Sequence, residues 1–135
     1  RLDSMIKSYK DLIVWQKSIV LVESIYQLTR RMPKEELYGL ISQMRRCAVS
    51  IPSNIAEGKS RGPRRDYRHF VITAYGSGAE RETPLEISQR LFSDIKSDCV
   101  SISASVEEIM RMLHRLIDEL EFETQPKTSN QKPLT

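Results

Sequence analysis

An all-α chain folded as an antiparallel up-down-up-down four-helix bundle, in a single domain, is what three features of this sequence predict. Apolar residues recur every three to four positions through four long segments, the period of an amphipathic helix. The breaks between those segments are short and carry proline or glycine, so consecutive helices must turn back on their neighbours. Composition agrees. With 39% hydrophobic residues, 29% charged residues and only 5 glycines, the chain suits helices better than a sandwich or barrel built on many turns. At 135 residues it is long enough for one core and too short for two.

The bundle is expected over 9–121, between an N-terminal extension over 1–8 and a polar, proline-containing tail over 122–135 read as disordered. Ser8 and Asp11 have the spacing of a capping box, which opens a first helix ending near Arg31. That helix carries two apolar stripes. Leu12, Trp15, Ile19, Val22 and Tyr26 form one, and Val14, Leu21, Ile25 and Leu28 form the other. A helix packed on one side needs a stripe only about 100° wide. Since no helix of a four-helix bundle is central, Val14, Leu21, Ile25 and Leu28 are expected to face another subunit.

Met32-Pro33-Lys34 ends the first helix, because proline disfavours a helical residue before it and cannot donate to the ladder. Leu37, Leu40, Ile41, Met44, Cys47, Ala48, Ile51 and Ile55 then keep a clean helical period, with Pro52 as an internal kink and Gly58 as the left-handed C-terminal cap. Gly62-Pro63 starts the third helix, with proline at a first-turn position where its missing N–H costs nothing. Its inner face is Tyr67, Phe70, Val71, Ala74, Leu85, Ser88 and Leu91. Gly78 and Arg81 interrupt that face and Pro84 follows, so a weakened or bent helix is expected over 76–84. A turn over 92–98 leads to a last helix over 101–121, with Ser105 and Glu108 as a capping box near its start. Its core stripe is Ile102, Val106, Ile109, Leu113, Leu116 and Leu120.

The chain offers no catalytic signature. There is no GxxxxGK[ST], GxGxxG or GxSxG, hence no phosphate cradle or nucleophile elbow. The Glu-x-x-His pairs of a di-iron bundle are absent. His69 and His114 are read as lacking partners at metal-ligand spacing. No catalytic residue, metal or cofactor is therefore assigned, and the protein is read as not an enzyme. Cys47 and Cys99 form no CxxC pair and are read as buried reduced thiols. No apolar run approaches the roughly 20 residues a membrane span needs, and the opening residues lack a secretory signal. A cytoplasmic location without membrane association is the expectation.

Positive charge is concentrated instead. Lys59, Arg61, Arg64, Arg65 and Arg68 stand between 59 and 68 against the single acid Asp66. Five cations less one anion leave +4, more than the +3 of the whole chain. Arginine forks bind phosphate bidentately, so these five residues are the candidate nucleic-acid site. Repetition in an oligomer would add avidity. Arg30, Arg31, Lys34, Arg45 and Arg46 read as ordinary helix-end charges. The competing reading is a scaffold that docks an acidic protein through the same junction. A nuclease ranks third, since no carboxylate cluster can be placed.

Three stretches also carry a family resemblance. They are Tyr9-Lys10-Asp11-Leu12-Ile13-Val14-Trp15-Gln16-Lys17, then Glu36-Leu37-Tyr38-Gly39-Leu40 with Ser42-Gln43 and Arg45-Arg46, and Val49-Ser50-Ile51-Pro52-Ser53-Asn54-Ile55-Ala56-Glu57-Gly58. The sequence resembles the small proteins encoded by intervening sequences in bacterial 23S ribosomal RNA genes, over about residues 9–120. The resemblance implies an antiparallel four-helix bundle assembled as a homopentamer. It also implies an architecture similar to the basic pentameric accessory protein of diversity-generating retroelements. Ribosomal RNA or another nucleic acid is the implied partner, and a ribosomal or reverse-transcriptase-like protein is the alternative. Where such proteins usually read GSLAELETQL, this chain has Gly78, Arg81 and Pro84 in place of two leucines and a glutamine.

Overall fold

Four α-helices form because four segments have one apolar face each, and they pack because those faces have nowhere else to go. In the computed structural model, residues 8–124 are described, with side chains as far as Glu121. The helices are α1 (Ile13–Arg30), α2 (Ser42–Arg61), α3 (Arg64–Leu91) and α4 (Lys96–Thr124). The extension expected over 1–8 and the tail expected over 122–135 lie outside the described residues, except Ser8 and 122–124, which continue into the first turn and α4.

Side-chain pairs fix the directions. Ser50 meets Ser77, and Gly58 lies against Tyr67 and Phe70, so α2 and α3 run antiparallel. Arg68 reaches Glu121 while Tyr75 stacks near His114, which sets α4 antiparallel to α3. Lys17 pairs with Glu108 and Arg31 with Asp98, closing α4 back onto α1. Arg45 donates to the Thr29 hydroxyl and lies over the Tyr26 ring, binding α2 to α1. The up-down-up-down order follows. Ile25, Met44, Ile51, Ile55, Val71, Ile95, Ile109 and Leu113 are closed to solvent at the centre, each worth about 1.5–3 kcal/mol of burial.

Val14, Leu21, Ile25 and Leu28, expected at a subunit interface, are buried in this single chain's core. α1 sits at a corner of the bundle, and its inward stripe is the one that meets α2 and α4. The other stripe stays half-covered: Trp15, Ile19, Val22 and Tyr26 lie along the outer α1–α2 seam. Ile13 and Val20, 55% and 58% exposed, lie on α1's opposite flank.

Several boundaries differ from expectation. The Ser8–Asp11 capping box is present, but it caps a short 3-10 turn over Tyr9–Asp11, and α1 starts after Leu12. Before α2, a 3-10 turn over Lys34–Glu36 leads into a widened turn over Leu37–Ile41, opened where Gly39 leaves helical dihedrals. α2 does not stop at Gly58. It continues to Arg61, and Gly62, with φ of 103°, is the residue that turns the chain. Gly58 lies inside the helix, at a position with no room for a side chain, since a Cβ there would sit 2.8 Å from the Phe70 Cβ. Pro52 is inside α2 and buried.

α3 runs as one helix from Arg64 to Leu91, with Gly78, Arg81 and Pro84 inside it. Twenty-eight residues of packing against α2 and α4 outweigh one proline and two glycines. A 3-10 turn over Ser93–Ile95 then passes directly into α4, which begins at Lys96 rather than near 101. Ser105 and Glu108 are therefore mid-helix. The Ser105 hydroxyl bonds back to the Ser101 carbonyl, and Glu108 pairs with Lys17. Cys47 and Cys99 are both unpaired and buried.

Candidate nucleic-acid interface

Gly62 and Pro63 reverse the chain between α2 and α3, and every residue of the basic cluster belongs to the helical turns on either side. Lys59 and Arg61 occupy the last turn of α2; Arg64, Arg65 and Arg68 the first turns of α3. The two helices approach closely there because Gly58 has no side chain to hold them apart. Pro63 has the extended dihedrals of an N-cap, and its carbonyl accepts from the Tyr67 N–H at 3.0 Å.

The five cations do not behave alike. The Lys59 ammonium lies over the Tyr67 ring at 5.5 Å, and the Arg61 guanidinium over the Phe70 ring at 5.1 Å. These aromatics support the cations from beneath, with Tyr67 buried, and do not form an open stacking platform. Arg61 also donates to Glu57 at 3.0 Å, one turn back on α2. That pair is exposed and worth little, about 0–1 kcal/mol. Arg64 and Arg65 are exposed.

Arg68 is different. Its side chain turns onto α4, donating to the Ile117 carbonyl at 3.2 Å and pairing with Glu121 at 3.2 Å. The expected shared face of Arg64 and Arg68 is the α3 flank nearest α4, so Arg68 serves as a helix–helix tie. α4 also brings the acids Asp118, Glu119 and Glu121 to this end of the bundle. The +4 of the linear stretch is thus diluted on the α4 side, toward which Arg64 and Arg68 lie.

Lys10 is the residue that sequence reading missed. It is exposed on the first turn, which packs against α2, and the antiparallel order returns it to the junction end. At the opposite end, Arg31 donates to Asp98 and the Asp94 carbonyl, and Arg45 is engaged by Thr29 and Tyr26, as helix-end charges should be. His114 Nδ1 lies 3.5 Å from Asp118 one turn along α4, an i,i+4 carboxylate that the reading of the histidines had overlooked. Among the described residues no group of three or more His, Cys, Asp or Glu could hold a metal ion. No helix among them is long and apolar enough to cross a membrane.

A small antiparallel four-helix bundle with basic residues gathered at its α2–α3 junction is the class of protein that fold and site define. The chain belongs to the 23S rRNA-intervening sequence protein family, whose pattern it matches over residues 10–115. It is similar to a protein of unknown function from the S23 ribosomal protein family of Bacteroides thetaiotaomicron, solved by crystallography at 1.70 Å resolution. The two are 25% identical with a TM-score of 0.71, covering 78% of this chain and 98% of that one. No curated protein matches the sequence.

Proposed function

We propose that the protein is a non-enzymatic, homo-oligomeric bundle that binds RNA weakly and with little sequence preference through Lys59, Arg61, Arg64 and Arg65. The observation that carries this reading is the N-terminus of α3. No side chain caps it among the described residues, and its first turn holds two exposed arginines. A helix N-terminus already carries about half a positive charge, so cations there cost stability. The same arrangement of open N–H groups and guanidinium forks suits a phosphate oxygen. Membership of a family named for intervening sequences of 23S rRNA supports RNA as the polyanion.

Self-association gives so small a site its avidity. The proposed contact is the outer α1–α2 seam, where Trp15, Ile19, Val22 and Tyr26 are half-exposed and Val49 lies open on α2. Five subunits is the number the family resemblance implies, and mass photometry of the purified chain counts them. Fluorescence anisotropy with rRNA-derived fragments tests the binding. Arg64→Glu with Arg65→Glu is expected to abolish it at low salt, whereas Arg68→Ala leaves it within about twofold, and log Kd rises linearly with log salt. Binding that ignores the double reversal, or its absence in the wild type at low salt, refutes the reading.

A further inference from the structure

Lys59 and Arg61 lie in the last turn of α2, and each is met by an aromatic ring where Arg68 is met by a carboxylate. The Lys59 ammonium lies 5.5 Å from the Tyr67 ring centroid, and the Arg61 guanidinium 5.1 Å from that of Phe70. Both distances fall within the roughly 6 Å over which a ring face attracts a cation. The cations belong to α2 and the rings to the first two turns of α3. Gly58 brings the two sets together, since a Cβ there would sit 2.8 Å from the Phe70 Cβ and 3.2 Å from the Tyr67 Cδ1. The rings are the fixed partners, Tyr67 buried and Phe70 half-buried. The long cationic side chains lie over them.

A ring and a carboxylate do different things to a cation. Glu121 pairs with Arg68 and cancels its charge, while the Ile117 carbonyl accepts from its Nε–H. A ring attracts a cation through its quadrupole, which orients the group and leaves its net charge intact. No carboxylate pairs with Lys59 among the described residues. Arg61 gives only its Nε–H to Glu57, at 3.0 Å, in a half-exposed pair. Its two Nη groups have no hydrogen-bond partner among the described residues, and they are the fork that a phosphate needs. Ordering a free lysine or arginine side chain is among the larger entropy costs of a contact. A cation already held over a ring has less of that freedom left to lose when an anion arrives.

We propose that Tyr67 and Phe70 are positioning residues for the polyanion site, holding Lys59 and Arg61 in place with their charge intact. The role rests on the RNA-binding reading and extends that site to the rings beneath its cations. Phe70 tests it most directly. Mono-, di- and trifluorophenylalanine at position 70 keep the ring and drain its quadrupole in steps. Fluorescence anisotropy with an rRNA-derived fragment at low salt is expected to show Kd rising along that series, by about two- to fivefold at the last step. Phe70→Leu, which removes the ring, is expected to lose at least as much. Phe70→Tyr, which keeps the ring, is expected to bind within about twofold of the wild type. In an Arg61→Ala background the fluorinated series is expected to be flat, because the cation it acts through is gone. A merely structural ring would cost the same with or without Arg61. The positioning role is overturned, and RNA binding kept, if the wild type binds and the series leaves Kd unchanged or keeps its effect in Arg61→Ala. Absence of wild-type binding at low salt overturns both.

Discussion

Replacing Arg81 with leucine removes a costly feature of the fold, and its size follows from the structure. The guanidinium is wholly buried, with all three nitrogens unpartnered. Lowering its pKa to about 10 by desolvation corresponds to roughly 3 kcal/mol against the charged form, at about 1.4 kcal/mol per pH unit. Leucine at the same position keeps the aliphatic packing and leaves no polar atom unpaired. Arg81→Leu should therefore gain about 3 kcal/mol, or about 10 °C in Tm for a chain of this length, measured by urea and thermal unfolding followed by circular dichroism. The pH dependence supplies a second check. An unfolded arginine keeps its proton to a much higher pH than the folded one, which releases it near 10. Between those values the unfolded state binds more protons, so the wild type recovers stability as pH rises. The deficit relative to Arg81→Leu is full below pH 10 and narrows above it. A leucine variant no more stable than the wild type, or a gap unmoved between pH 9 and 11, refutes the reasoning.

Two glycine substitutions should move stability in opposite directions. At Gly58 a Cβ meets the Phe70 Cβ at 2.8 Å and the Tyr67 carbonyl oxygen at 3.1 Å, so Gly58→Ala should cost about 1–2 kcal/mol after the gain in helix propensity. At Gly76 a Cβ meets nothing within 4 Å, and Gly76→Ala should stabilise by up to about 1 kcal/mol; chemical denaturation of both reads the sign directly. Arg68→Ala should lose about 1 kcal/mol through the Ile117 carbonyl and Glu121 contacts, a loss that Glu121→Gln should partly reproduce in the same assay. Burial raises the pKa of both Cys47 and Cys99. A thiol reagent at pH 8 should therefore label neither until urea unfolds the chain, and rapid labelling of the native protein would count against the packing described.

Periodicity and turn residues by themselves determined the number of helices, their order, the core stripes of α2 and α4 and the basic junction, since each is written within a few turns of chain. They placed the start of α3 at Gly62-Pro63, although they put the turn itself at Gly58, and they flagged Gly78, Arg81 and Pro84 as foreign to an inner face. What they could not supply is anything that depends on which helices are neighbours. α1 shows two apolar stripes, and only its corner position decides that Val14, Leu21, Ile25 and Leu28 turn inward while Trp15, Ile19, Val22 and Tyr26 remain half-open. Gly58 looks like a helix end until α3 is seen lying against it. Whether α3 survives its glycines and proline depends on packing along both flanks, which local propensity does not contain. The charge of the junction was legible as a sum, yet Arg68 is drawn onto α4. Side chains far apart in the chain acquire their partners only when the helices close, and so tertiary structure determined which arginines face solvent and which hold the bundle together.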